Sequence, residues 1–124
     1  MDNTDHRRVV VVDDDAAIVS MIKAYLEEKG FTVGAFDNPD KAVNDICSNY
    51  ADIVISDFNM PGMNGLELLE KAESFNHSTK GILISADPGS ILKITNRYRV
   101  LDKSANLLDM IGEEVAGARD RRAV

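Results

Sequence analysis

Four places in the chain carry side chains that could do chemistry together: Asp13-Asp14-Asp15, Asp57, Ser85 and Asp102-Lys103, each just after a short apolar run. Asp57 poses the sharpest question, because Ile53, Val54 and Ile55 lead into it and Met60-Pro61-Gly62 follow. A carboxylate there is costly to desolvate unless a cation or hydrogen-bond donors meet it. If the first and third runs are neighbours, their carboxylates crowd one spot, and mutual repulsion raises a pKa unless a cation intervenes. Oxygen ligands in that number suit Mg²⁺, which prefers one or two carboxylates plus a phosphate oxygen and keeps several waters. Asp13, Asp14 and Asp57 supply three negative charges, and Mg²⁺ with Lys103 supplies three positive ones. A site so balanced can accept a phosphoryl group, whose oxygens meet a metal, an ammonium and the Ser85 hydroxyl. Asp57 is then the nucleophile that forms an acyl phosphate.

Positioning those residues requires elements that end together. Val9–Val12 reads as a strand buried on both faces, and Phe31–Ala35, Ile53–Ser56, Ile82–Ile84 and Tyr98–Leu101 as four more. Helical patterns alternate with them. Asp15 to Lys29 places Ile18, Ile22, Tyr25 and Leu26 on one stripe and stops at Gly30. Asn38-Pro39 gives an N-cap and a first-turn proline for a helix whose apolar face is Ala42, Val43 and Ile46. Leu66, Leu69 and Ala72 mark a third helix, and Leu107, Leu108, Ile111 and Val115 a last one capped by Ser104. Between strands four and five, Pro88-Gly89 and Thr95-Asn96 leave room only for a short or irregular helix. Five strands alternating with helices imply an α/β fold with a parallel sheet covered on both faces, and in such sheets ligands sit at the carboxyl ends of the strands.

Composition narrows the class. With 124 residues the chain is one domain, and a formal charge of −7 disfavours direct binding to nucleic acid or to an anionic membrane, both of which need a basic face. Cys47 is the single cysteine and cannot form an intramolecular disulfide, and the N-terminus MDNTDHRR lacks the apolar core of a signal peptide. A soluble cytoplasmic domain is the expectation.

Taken singly, each candidate has an ordinary explanation. Asp14 or Asp15 could cap the first helix, Ser85 could be a turn residue, and Lys103 a surface ammonium. Four strand ends pointing to one chemistry outweigh those readings. His6 and His77 are expected at the surface, Cys47 packed within the second helix, and Met60 and Met63 shaping the loop after Asp57.

With VVVVDDDAAI, DFNMPGMNG, LISAD and VLDKS in that order, the chain resembles the receiver domain of two-component response regulators, roughly from Arg8 to Val115. The resemblance implies a doubly wound sheet of strand order 2-1-3-4-5, in a receiver unit over 1–118 followed by a charged tail over 119–124. It implies Asp57 as phosphorylation site, with Asp13 and Asp14 holding Mg²⁺ and Asp14 the more direct ligand. Asn59 matches the position whose backbone carbonyl completes the metal shell, Ser85 the hydroxyl that follows the phosphoryl group, and Lys103 the family lysine. Ala86 is small and leaves the acceptor accessible. Three departures stand out. Lys103-Ser104 replaces the usual Lys-Pro with its cis bond, and a cis bond before serine would cost about 3 kcal/mol, so a rearranged or strained loop is expected. Val100 stands where the family carries a switch aromatic, with Tyr98 two residues earlier on the same strand face, and the stretch from Ser85 to Lys103 is short.

The function so implied is Mg²⁺-dependent transfer of a phosphoryl group onto Asp57 from the phosphohistidine of a sensor histidine kinase or phosphotransfer protein. The change switches a surface that binds a downstream protein target. Such a domain catalyses its own phosphorylation and dephosphorylation, and no conventional enzyme activity on an external substrate is expected. A monomer or weak dimer is expected, acting alone or as a piece of a longer protein. The alternative is a receiver-like adaptor that binds partners without phosphorylation, which Val100 and Ser104 favour and the complete acidic set opposes. A flavin-binding protein on the same fold is disfavoured because the first loop, DDDAAI, is acidic where a flavin phosphate needs small residues and amides. A phosphatase of outside substrates would need a second aspartate where Asn59 stands.

Overall fold

A computed structural model describes the backbone of residues 7–123 and the side chains of residues 7–116; His6 and Val124 lie outside the described residues. Strands β1 (Arg8–Val12), β2 (Thr32–Phe36), β3 (Ile53–Asp57), β4 (Lys80–Ser85) and β5 (Arg99–Asp102) alternate with helices α1 (Ala16–Glu28), α2 (Pro39–Ser48), α3 (Gly65–Phe75), α4 (Pro88–Leu92) and α5 (Leu107–Ala123). All pairings are parallel, and the sheet order is β2-β1-β3-β4-β5, as expected.

Successive strand residues point to opposite faces, so the sheet divides its apolar residues between two layers. Val9, Val11, Ile53, Ile55, Ile82 and Ile84 meet Ile22 and Leu26 of α1 and Leu107, Ile111 and Val115 of α5. Val10, Val12, Val54 and Leu83 meet Ala42 and Ile46 of α2, Leu68, Leu69 and Ala72 of α3, and Ile91 of α4. Because β1 and β3 are buried on both faces, Val9–Val12 and Ile53–Ile55 read as unbroken apolar runs.

Side-chain caps set the helix starts. Asp15 accepts the Ala17 and Ile18 amides, and Asn38 those of Asp40 and Lys41 ahead of Pro39. Asn64 and Glu67 form a reciprocal capping box on α3. Gly30, at φ 96°, turns the chain out of α1 into β2. The five-residue α4 agrees with the short fourth helix expected from Pro88-Gly89 and Thr95-Asn96.

Several boundaries and placements differ from expectation. β4 begins two residues earlier, at Lys80, and Tyr98 precedes β5. Ser104 does not cap α5; its carbonyl accepts the Leu107 amide and its hydroxyl oxygen the Asn106 amide, so it opens a turn before the helix. The backbone of 119–123 continues α5 where fraying is expected from the charges. Cys47 is exposed rather than packed, because α2 buries Ala42 and Ile46 and the next position lies about 100° further round the helix. Among the described residues no peptide bond is cis; instead, the Ser104 amide donates to the Asp102 carbonyl at 2.8 Å, a bond proline could not make.

Candidate functional site

The carboxyl edge of the sheet brings the sequence candidates together. Asp13 directly follows β1, where its amide still donates to the Phe36 carbonyl of β2 (3.2 Å), and its side chain is fully buried. Asp57 closes β3 and is 5 % exposed. The Asp13-Asp14-Asp15 run divides its labour: Asp15 caps α1, Asp13 turns inward, and exposed Asp14 stands beside the inward pair. Oxygens of Asp13, Asp14 and Asp57 lie within 4.8 Å of one another.

Lys103 reaches this cluster from just beyond β5. Its ammonium lies 2.8 Å from Asp13 Oδ2 and 3.1 Å from Asp57 Oδ1. Burial pushes the Asp57 carboxyl up, the Asp13 charge adds to this, and the hydrogen bond and charge of Lys103 oppose it without cancelling it. For Lys103 burial works downward, but hydrogen bonds and charges of Asp13 and Asp57 outweigh it and hold the ammonium above the usual lysine value. One ammonium against three carboxylates leaves two negative charges unbalanced. That surplus fits a divalent cation bound through oxygen.

Ser85 is fully buried at the end of β4, one residue past the Ile84 that pairs with Asp57. Its carbonyl accepts the Lys103 amide (2.9 Å), and its hydroxyl oxygen accepts the Asp87 amide (2.9 Å), a role that uses a lone pair and not the O–H. Asn59 and Ala86 are exposed on the loops flanking Asp57 and Ser85. Met60 is buried and Met63 packs beside it, so both shape the loop as expected, while His77 is exposed.

Tyr98 lies elsewhere. Its ring occupies the space that Gly81 leaves open, since a Cβ at Gly81 would come within 3.0 Å of it, and its hydroxyl donates to Glu73 Oε1 of α3 at 2.8 Å. Gly81 precedes Ser85 by four residues on β4, ~13 Å at strand rise, so Tyr98 does not substitute beside Ser85 for the aromatic absent at Val100. Beside the acceptor, the role of Ser56 escapes the sequence reading, which includes Gly65 as the end of the DFNMPGMNG run. The Ser56 hydroxyl donates to the Asp57 carbonyl at 2.9 Å, and Gly65 packs its backbone against that same carbonyl. The signal for Ser56 was a lone hydroxyl in an otherwise apolar strand.

Comparison with known proteins agrees with this geometry. The family model described as "Response regulator receiver domain" matches residues 9–106. The C4-dicarboxylate transport transcriptional regulatory protein DctD of Rhizobium meliloti is 36 % identical over 77 residues, covering 62 % of this chain and 17 % of that protein. MalR of Bacillus subtilis, a transcriptional regulatory protein, is 33 % identical over 97 residues, 76 % of this chain and 41 % of that protein. The chain thus spans less than half the length of these curated relatives. Among solved structures, response regulator TrrA from Thermotoga maritima, in complex with Mg²⁺–BeF, superposes with a TM-score of 0.77 at 29 % identity, over 90 % of this chain and 98 % of that one. A CheY-like receiver from Methanospirillum hungatei gives 0.78 at 25 %, over 94 % and 99 %. With matched fold, matched motif order and an acidic cluster at the strand ends, the chain belongs to the response regulator receiver domain family.

Proposed function

We propose that Asp57 accepts a phosphoryl group from the phosphohistidine of a histidine kinase or phosphotransfer protein. The single observation that carries this is the buried Asp57 carboxylate beside Lys103, Asp13 and Asp14 at the carboxyl edge of the sheet. An Asp57 oxygen attacks phosphorus, the phosphorus–nitrogen bond breaks, and its electron pair stays with the leaving imidazole, which yields an acyl phosphate. Lys103 neutralises charge on the attacking carboxylate and offers donors to phosphoryl oxygens, and Ser85 offers its O–H. Asp13, Asp14, Asp57 and the Asn59 backbone carbonyl would hold Mg²⁺, which supplies the positive charge that lets carboxylates and phosphoryl oxygens approach.

The exposed Asn59 and small Ala86 leave the acceptor open to a donor protein. Residues 1–118 form the receiver unit, 119–124 a charged tail, and the output is a contact with a downstream protein. The net charge of −7 supports protein rather than nucleic-acid contacts for this unit. No helix among the described residues is long and apolar enough to cross a membrane. The setting we propose is cytoplasmic, and the state a monomer or weak dimer.

The test is intact-protein mass after incubation with acetyl phosphate, with Mg²⁺ or with EDTA, for wild type and Asp57→Asn. One added phosphoryl group that needs both Mg²⁺ and Asp57 is expected. Unchanged mass under every condition, together with equal partner affinity of wild type and Asp57→Asn, would favour the phosphorylation-independent adaptor.

A further inference from the structure

The chemistry above leaves Ser56 unused, although it is fully buried and adjacent to the acceptor. Its register partners are Val12 on β1 and Leu83 on β4, so the hydroxyl sits among apolar neighbours, where it is costly unless bonded. It is bonded, and to the acceptor itself: Ser56 Oγ donates to the Asp57 backbone carbonyl at 2.9 Å. On the other side of that carbonyl stands Gly65, where a Cβ would collide with the Asp57 oxygen. The next peptide is fixed as well, because the Phe58 amide donates to Ile84 (3.0 Å) and the Phe58 carbonyl accepts the Gly65 amide (2.9 Å). The backbone that carries the Asp57 carboxylate is therefore held by a side-chain hydroxyl, by the start of α3 and by β4.

We infer that Ser56 is a positioning residue for the phosphoacceptor: its hydroxyl keeps the Asp57 carbonyl seated against Gly65 and so fixes where the carboxylate stands relative to Lys103. The inference rests on the reading of Asp57 as acceptor. Phosphoryl transfer depends mainly on alignment, and a displacement of about 1 Å costs on the order of a hundredfold in rate, so releasing one restraint of several should cost about five- to tenfold.

Threonine and valine match in shape and differ by the hydroxyl, so Ser56→Thr and Ser56→Val separate the hydrogen bond from the crowding that a larger side chain brings. The measurements are the saturating rate and apparent KM for phosphoryl uptake from acetyl phosphate, the Mg²⁺ dissociation constant and the thermal midpoint. The expected result is a saturating rate about five- to tenfold lower for Ser56→Val than for Ser56→Thr, with KM and Mg²⁺ affinity alike in the two. A merely structural hydroxyl would lower the midpoint of Ser56→Val and leave the rates equal, and equal rates would overturn the inference. A wild-type protein that takes up no phosphoryl group would instead remove the acceptor reading, and this inference with it.

Discussion

Asp57 stands in a place that does not favour its charge. Burial, the Asp13 carboxylate and Asp14 together outweigh Lys103, and the carboxyl titrates above its ordinary range. A folded-state pKa raised above the unfolded value means that ionised Asp57 opposes folding at neutral pH, and that this penalty fades as pH falls through the folded pKa. Without divalent cation, Asp57→Asn should therefore melt a few degrees higher than wild type at pH 7, and the gap should close toward acid pH. A differential scan at several pH values in EDTA checks this. Lys103→Ala should act in the opposite sense, because it leaves Asp13 and Asp57 with no cation at 2.8 and 3.1 Å. A loss of about 3 kcal/mol in urea titration is expected for an acid cluster stripped of its buried partner.

At the scale of elements, α5 is fastened to the sheet by Glu114, which pairs with Lys80 of β4 at 3.2 Å and Arg99 of β5 at 2.8 Å. Burial alone would raise the Glu114 carboxyl, but hydrogen bonds to Arg99 and Lys80 and their charges bring it below the usual glutamate value. A depressed folded pKa contributes stability that is present above the unfolded pKa and is lost as pH falls through the folded one. Since Arg99 is mostly exposed, Glu114→Gln should cost only about 1 kcal/mol at pH 7. Urea midpoints of variant and wild type should converge as pH falls through the folded Glu114 value, below the ordinary glutamate range. Asn64→Ala, which removes the bond from the Glu67 amide to the Asn64 side chain and leaves the backbone amide of residue 64 free to donate to Glu67, should likewise cost about 1 kcal/mol.

Most of these elements were legible because β1, β3 and β4 bury short runs rich in β-branched residues and α1 to α4 carry their own caps, so local chemistry and global fold agree. That the candidate residues Asp13, Asp14, Asp57, Ser85 and Lys103 gather at one place was legible for a related reason: polar groups at the ends of apolar strands share one edge of a parallel sheet. What escaped depends on contacts distant in sequence. Nothing local pairs Tyr98 with Glu73 and Gly81, or Glu114 with Lys80 and Arg99. The start of α5 escaped because Ser104 uses its capping groups in a preceding turn.

At the scale of the molecule, the sheet sets two apolar layers against helices and leaves its carboxyl edge with two unbalanced negative charges. Folding thus assembles an acidic cluster whose repulsion the unfolded chain does not carry, so a divalent ion bound there, as proposed, should stabilise the whole domain rather than one loop. Once the free ion exceeds its dissociation constant, each tenfold increase adds ~1.4 kcal/mol to the folded state. For a domain of 124 residues that is roughly 5 °C in thermal midpoint per decade of MgCl₂. NaCl at equal ionic strength should give far less, because screening acts weakly on buried groups. Asp13→Asn, which removes the most deeply buried carboxylate of the cluster, should flatten the Mg²⁺ dependence while leaving a cooperative transition. A slope unchanged in Asp13→Asn would mean that the stabilising ion binds somewhere other than the acidic edge, and that the charge balance at Asp57 is met by Lys103 alone.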